Sequence, residues 1–193
     1  MQIFNTLSSK KELFQTITPG KVKIYVCGVT VYDYCHIGHA RTYLAFDVMV
    51  RYLIAQGYEV TYVRNITDID DKIIRRAQER EVEPQSIVNE FITAMHQDFD
   101  ALGMLSPNIE PRATETMSEI ISIIQSLIEK GFAYRGQNGD VYYRVKRFEA
   151  YGNLSGQNVQ DLQAGQRIDV DESKDDPLDF VLWKAAKLNE PSW

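Results

Sequence analysis

Apolar and polar positions alternate from Val22 to Val26, directly after Pro19-Gly20. A period of two is the mark of a half-buried strand and predicts one over Val22 to Cys27. The pattern then lengthens. From about Gly38 to Ala55, Leu44, Val48 and Tyr52 recur every four residues, joined by Ala45 and Met49. This predicts a helix that buries that stripe, closed by Gly57 in a left-handed C-terminal cap. Alternation returns in "YEVTYVRN", Tyr58 to Asn65, as a second strand. "TDIDDKIIRRAQERE" follows as a helix whose first turn is acidic, with Asp68, Asp70 and Asp71 as N-cap carboxylates. Another helix is predicted over about Pro84 to Leu102, with Ile87, Phe91, Met95 and Phe99 on its inner face.

"GMLSPNIEPRAT", Gly103 to Thr114, breaks the periodicity and reads as a domain boundary. Beyond it come a helix in "ETMSEIISIIQSLIEKG" ending at Gly131, a hairpin turning at Asn138-Gly139, and a short strand in "DFVLWK". The early order, strand, helix, strand, helix, predicts an α/β protein with a parallel sheet and right-handed crossovers. Ligands of such sheets bind beyond the carboxyl ends of the strands. Those ends carry "CGVTVYDYCHIGH" and "NITDID", so two polar loops should share one cleft edge.

Composition narrows the class. Of 193 residues 44% are hydrophobic and 25% charged, values of an ordinary globular protein large enough to bury a core. No apolar run has the roughly 18 residues of a membrane span, and "MQIFNTLSSKKELF" has no signal-peptide core, so no membrane partner is expected. Two cysteines, Cys27 and Cys35, do not make a disulfide scaffold, and a cytoplasmic location is expected. A net charge of −6 argues against nucleic-acid binding by whole-domain charge, though not against a local basic face. "DVDESKDDPLD", Asp169 to Asp179, is dense in carboxylates and reads as a solvated loop.

The chemistry concentrates at the first loop. His36 and His39 lie three apart at a helix entrance, where both can share one face, and Gly38 between them permits close backbone approach. Free N–H groups and the dipole of a helix start favour an anion, so imidazoles there suit phosphate oxygens. Neither "GxxxxGK[ST]", "GxGxxG" nor "GxSxG" occurs. Each feature also has a plainer reading. A His-x-x-His pair can be surface or capping, Cys27 a small buried hydrophobe, and Asn65 a turn residue. Cys27 and Cys35, eight apart, do not match a C-x-x-C metal knuckle. His96 sits mid-helix on a surface or core face.

"HIGH", His36 to His39, resembles the nucleotide-binding signature of class I aminoacyl-tRNA synthetases. "YVCGVTVYDYCHIGHARTYLAFDV" with "YVRNITDIDDKII", then "DFDAL", "PRAT", "NGDVYYRV", "YGNLS" and "DFVLWK", resembles the cysteinyl-tRNA synthetase family in particular, over essentially the whole chain. The resemblance implies the first half of a Rossmann-like catalytic domain over residues 1–112. Over 113–193 it implies an inserted α+β connective domain and the start of the return to the catalytic domain. It implies ATP-dependent activation of L-cysteine to cysteinyl-adenylate, with magnesium accompanying ATP, and transfer to tRNA(Cys) by a monomeric enzyme.

The implied roles fall on individual residues. Cys27 is a zinc ligand and part of the cysteine site. His36 and His39 contact ATP phosphates and stabilise charge on the α-phosphate. Thr30, Gly38 and Thr42 line the adenylate pocket. Gly28, Thr30, Asn65 and Thr67 bound the cysteine. Cys35 is structural. Zinc holds thiolate sulfur strongly and a neutral hydroxyl poorly, which would separate cysteine from serine where an apolar pocket could not.

The family pattern continues beyond Trp193, to the other zinc ligands, a "KMSKS" loop and an anticodon-binding region. The resemblance therefore implies a longer protein, and these 193 residues alone are expected not to activate cysteine. Two other readings remain at this point: a related ATP-dependent cysteine ligase with an amino-sugar acceptor, and a truncated paralogue that binds nucleotide or tRNA without catalysis.

Overall fold

A computed structural model describes residues 1–157, 173–188 and 190–193. The chain forms two compact units, one of Gln15–Met117 and one of Met1–Phe14 with Ser118–Trp193.

In the second of these, β1 (Gln2–Asn5) and β2 (Lys10–Leu13) make an antiparallel hairpin. Their short, mostly exposed strands give no alternation to read, and the sequence did not predict them.

The unit of Gln15–Met117 holds the parallel sheet. β3 (Lys21–Val26) pairs in parallel with β4 (Glu59–Arg64), from Lys21 opposite Glu59 to Val26 opposite Arg64. Between them runs α1 (Ile37–Ala55). Gly57 takes a φ of +86° just past the end of α1, the left-handed conformation its position predicts. After β4 come α2 (Asp71–Arg80) and α3 (Pro84–Ala101). The inner face of α3 is as predicted: Ile87, Phe91, Met95 and Phe99 are all buried. They join Val26, Val29, Val31, Tyr43, Val50, Tyr62, Ile66 and Ile73 in one core.

The stripe read for α1 is not its buried face. Val48 and Tyr52 are exposed, and the helix turns Tyr43, Asp47, Val50 and Leu53 inward. The helix is apolar nearly all round, so periodicity could not choose a face. The true face also contains a carboxylate. Asp47 accepts from the Leu105 N–H at 2.8 Å and from Arg51 Nε at 2.7 Å, which satisfies it in place.

Asp68 does not cap α2 either. Asp70 does, accepting from the Lys72 N–H at 2.9 Å, with Asp71 in the first turn. Asp68 is buried and accepts from the N–H and the hydroxyl of Thr114.

The Pro-containing break packs along the sheet. Arg64 N–H donates to the Ile109 carbonyl and Ile66 N–H to the Pro111 carbonyl, while Val63–Ile109 and Ile66–Arg112 form parallel bridges. Residues 108–113 thus extend the hydrogen bonding of β4 without making a regular strand.

In the other unit, α4 (Met117–Glu129) leads to Gly131 at φ +75°. An antiparallel sheet follows, of β5 (Ala133–Arg135), β6 (Val141–Tyr143) and β7 (Phe180–Trp183), in that order. The predicted turn is in place, with Gly139 at φ +89°. The acidic stretch is not simply solvated. Its first residues, 169–172, lie outside the described ones. Asp179, however, is buried, accepting from the Val145 N–H at 3.0 Å and from the Tyr134 hydroxyl at 2.8 Å. Asp175 pairs with Arg144 at 2.7 Å, and Asp176 with Lys146. Carboxylates with fixed partners at this density organise the β7 approach.

Candidate functional site

The two loops at the carboxyl ends of β3 and β4 are joined directly. Gly28 N–H donates to Asn65 Oδ1 at 2.8 Å, and Asn65 Nδ2 donates to Thr67 Oγ1 at 3.3 Å. Thr67 N–H donates to the Val29 carbonyl, Val31 N–H to the Thr67 carbonyl, and Thr30 and Thr67 form a parallel bridge. The sheet is therefore prolonged into its loops. Gly28 is required for this. A Cβ built there would lie 1.4 Å from the Asn65 carbonyl oxygen, an overlap that no side-chain motion relieves because the obstacle is backbone. Four residues named from the sequence, Gly28, Thr30, Asn65 and Thr67, are thus brought together.

A second group forms at the entrance of α1. His36 is the N-cap, and its Nδ1 accepts from the Gly38 N–H at 3.0 Å. His39, three residues on, returns the interaction: the His36 N–H donates to His39 Nδ1 at 3.1 Å. This is the reciprocal geometry of a capping box, built from two imidazoles instead of Ser and Glu. The ring centroids are 4.1 Å apart. A Cβ on Gly38 would meet His36 Cε1 at 2.7 Å, so the glycine makes room for the ring. Thr42 donates from its hydroxyl to the Gly38 carbonyl at 3.0 Å. Burial first, and the neighbouring His36 second, push the His39 pKa below the ordinary imidazole value. The backbone N–H groups of His36 and Gly38, expected from the sequence to be open to an anion, are occupied by the rings.

Cys27 follows β3 directly, and its residue is exposed. Its carbonyl accepts from the Tyr43 hydroxyl at 3.1 Å, which ties the strand end to α1. Burial drives the Tyr43 pKa up to about 12, so the phenol stays a donor. Among the described residues no group of three or more His, Cys, Asp and Glu side chains is arranged to hold a metal ion. Cys27 can offer one thiolate where tetrahedral zinc takes four ligands. Cys35 is half-buried against the core, and burial raises its pKa, the behaviour of an inert thiol.

Sequence reasoning missed the residues that hold the loop between β3 and α1. Arg76 of α2 pairs with Asp33, Lys72 lies 4.9 Å from the centre of the Tyr32 ring, and Tyr34 meets Phe91 edge-on at 5.1 Å. These partners are 40 or more residues away in sequence, so no local pattern signals them.

A third polar cluster also escaped notice. Arg64, 3% exposed, lies between the rings of Tyr43 and Phe99, with its guanidinium carbon 5.3 and 4.8 Å from their centres. It donates twice to Glu110 Oε1, at 2.7 and 3.2 Å, and His96 Nε2 meets the other oxygen of Glu110 at 2.7 Å. A cavity of about 250 Å³ adjoins this cluster, lined by Arg64, His96, Asp100, Ser106 and Glu110 among others, and by no residue assigned a site role from the sequence.

The sequence profile of the tRNA synthetases class I (C) catalytic domain matches residues 13–193. The chain is 61% identical over its full length to the cysteine–tRNA ligase of Idiomarina loihiensis and 58% identical to that of Thioalkalivibrio sulfidiphilus. It spans 42% of the length of each. Among solved structures, the Agrobacterium radiobacter K84 agnB2 LeuRS, in a ternary complex with tRNA and LeuAMS, superposes with a TM-score of 0.53 at 25% identity. The match covers 66% of this chain and 17% of that one. The parallel strands with polar loops joined at their carboxyl ends, and the imidazole-capped helix between them, occur in a chain that belongs to the class I (C) tRNA synthetase catalytic-domain family.

Proposed function

We propose that this chain is the amino-terminal part of a cysteine–tRNA ligase, which uses ATP to activate L-cysteine and passes the cysteinyl group to tRNA(Cys). The observation that carries the proposal is the match of the whole chain, at 56–61% identity, to relatives bearing that name. The same names favour tRNA over an amino-sugar acceptor. On this reading residues 1–112 supply the first half of a Rossmann-like domain and 113–193 the connective insertion with the start of the return. The break between compact units after Met117 supports a boundary close to Ala113, although residues 1–14 group with the later unit. On this reading the enzyme works as a cytoplasmic monomer. Among the described residues no helix is long and apolar enough to cross a membrane.

The roles follow the two clusters. His36 and His39 hold ATP phosphate oxygens and stabilise the α-phosphate as the substrate carboxylate attacks it, with Gly38 and Thr42 shaping that helix entrance. The work is positioning and electrostatics, with no covalent enzyme intermediate. Gly28, Thr30, Asn65 and Thr67 form the wall for cysteine and adenylate; their mutual hydrogen bonds support a preformed wall. Cys27 contributes one thiolate to a zinc centre whose other ligands are not among the described residues. Bound there, zinc would hold the substrate thiolate. Magnesium enters with ATP as part of the substrate.

Cysteine-dependent ATP–pyrophosphate exchange by the intact protein tests the proposal. His39→Ala should lower kcat on the order of 100-fold or more, the usual cost of removing one preorganised donor. Cys27→Ser should lower zinc content and raise the KM for cysteine more than that for ATP. A folded His39→Ala protein with full exchange activity, or unchanged zinc content in Cys27→Ser, would refute the corresponding role.

A further inference from the structure

We infer that His36 and His39 meet phosphate as two neutral imidazoles, each with Nδ1 committed to the helix backbone and its proton on Nε2. The inference rests on the reading of the site just given and states the form in which that site works. A backbone N–H can only donate, so a ring nitrogen facing one must carry a lone pair. The Gly38 N–H faces His36 Nδ1 at 3.0 Å, and the His36 N–H faces His39 Nδ1 at 3.1 Å. Both Nδ1 atoms are therefore unprotonated. The remaining proton of each neutral ring sits on Nε2, the nitrogen on the far side of the ring from the capping bond. Charging either ring would set two N–H groups against each other. Charging both would bring two cations to a ring separation of 4.1 Å.

The arrangement has a chemical consequence. A bare helix start would offer its own N–H groups to an anion. Here two of those donors, from His36 and Gly38, are spent on the rings, and each ring passes a donor outward on Nε2–H. The outward donor points in a direction that the capping bond fixes, because an imidazole is rigid. Gly38 is part of the device, since a side chain there would collide with the His36 ring. Neutral donors also hold phosphate less tightly in the ground state than imidazolium would, because charge-assisted bonds are about twice as strong. Binding energy is then reserved for the transition state, and pyrophosphate is free to leave.

Histidine tautomers report this directly. The intact protein, labelled with ¹⁵N-histidine, is examined by long-range ¹H–¹⁵N correlation at neutral pH, with and without ATP. His36→Asn and His39→Asn assign the signals. Both rings should show the Nε2–H tautomer, and ATP should leave them neutral. An Nδ1–H tautomer or a doubly protonated ring at either position, free or with ATP, would overturn the inference whatever the activity.

The same Asn variants separate this inference from the reading beneath it. Asn can keep an acceptor near Nδ1 but has no donor at the Nε2 position. Each variant should keep its fold and lose about 100-fold or more in pyrophosphate exchange, and His39→Gln, which extends a donor amide outward, should regain part of that loss. Tautomers as stated, combined with fully active Asn variants, would overturn the phosphate-binding reading itself and the inference with it.

Discussion

Histidine is used in two opposite ways in the unit of Gln15–Met117. At the α1 entrance the partners of His36 and His39 are backbone N–H groups, so the rings accept at Nδ1 and must be neutral to do so. At the end of β4 the partner of His96 is the Glu110 carboxylate, so that ring donates from Nε2 and keeps the bond whether neutral or charged. The first pair is set by the local turn of one helix. The second belongs to a long-range network, because Glu110 also takes two hydrogen bonds from buried Arg64. One region is built to present donors, the other to neutralise a charge inside a core.

The charge network is the place to break that contrast with the largest effect. The Arg64 side chain is only 4% exposed and Glu110 18%. Glu110→Ala would leave the guanidinium buried without its counter-ion, a change that typically costs about 3–5 kcal/mol. The two aromatic rings flanking Arg64 offset part of this but supply no acceptor. His96→Ala removes a partner that is 44% exposed and should cost less than about 1 kcal/mol. Urea unfolding of the two variants beside the parent checks both values. Equal losses would mean that Arg64 does not depend on Glu110, and that the network is a surface feature.

Gly28→Ala probes the other side, where backbone meets backbone. The new methyl group needs the space of the Asn65 carbonyl, so the two loops must part. Overpacking of this kind costs about 1–3 kcal/mol. The same separation breaks the Gly28–Asn65 bond, so the loss should extend to cysteine affinity. A rise in the KM for cysteine with little change for ATP would place the strand-end loops and the helix entrance in separate roles. Parallel loss of both would show that the loops and the histidines move as one piece.

How much of this was legible depends on whether the determinant was local. The α3 face, the Gly57 and Gly131 caps and the hairpin at Gly139 are set by neighbours within a few residues, and the sequence shows them. The inward face of α1 is not local. Asp47 is buried because Leu105, 58 residues on, donates to it, and a rule that sends carboxylates outward chooses the wrong stripe. His96 and Glu110, 14 residues apart, meet only because residues 108–113 lie along β4. At the site, the "HIGH" string points to phosphate through the family resemblance, whereas the use of both Nδ1 atoms as caps needs the ring orientations. Tyr43, which anchors the Cys27 carbonyl, was hidden because periodicity counts tyrosine as one more apolar residue.

The effect that bears most directly on the two kinds of histidine is set by pH. The His39 pKa lies below its unfolded value, depressed by burial and then by His36. A group whose folded pKa is lowered binds its proton more readily in the unfolded chain. The stability it confers is therefore fully present above the unfolded value of about 6.5 and declines as pH falls through it toward the folded value. Protonation of His39 Nδ1 removes the acceptor for the His36 N–H, so the first turn of α1 should loosen. The loss should be about 1 kcal/mol, the usual worth of a side-chain cap. Amide exchange of Ala40 and neighbouring residues of that turn should quicken as pH falls from about 7.5 to 5.5, once the intrinsic pH dependence of exchange is divided out. Over the same range the amides of Arg64 and Ile66, which donate to Ile109 and Pro111, should keep their protection, because His96 can hold Glu110 with or without the extra proton. Equal loosening in both regions would mean that acid acts on the unit as a whole and that the capping box is not its weak point.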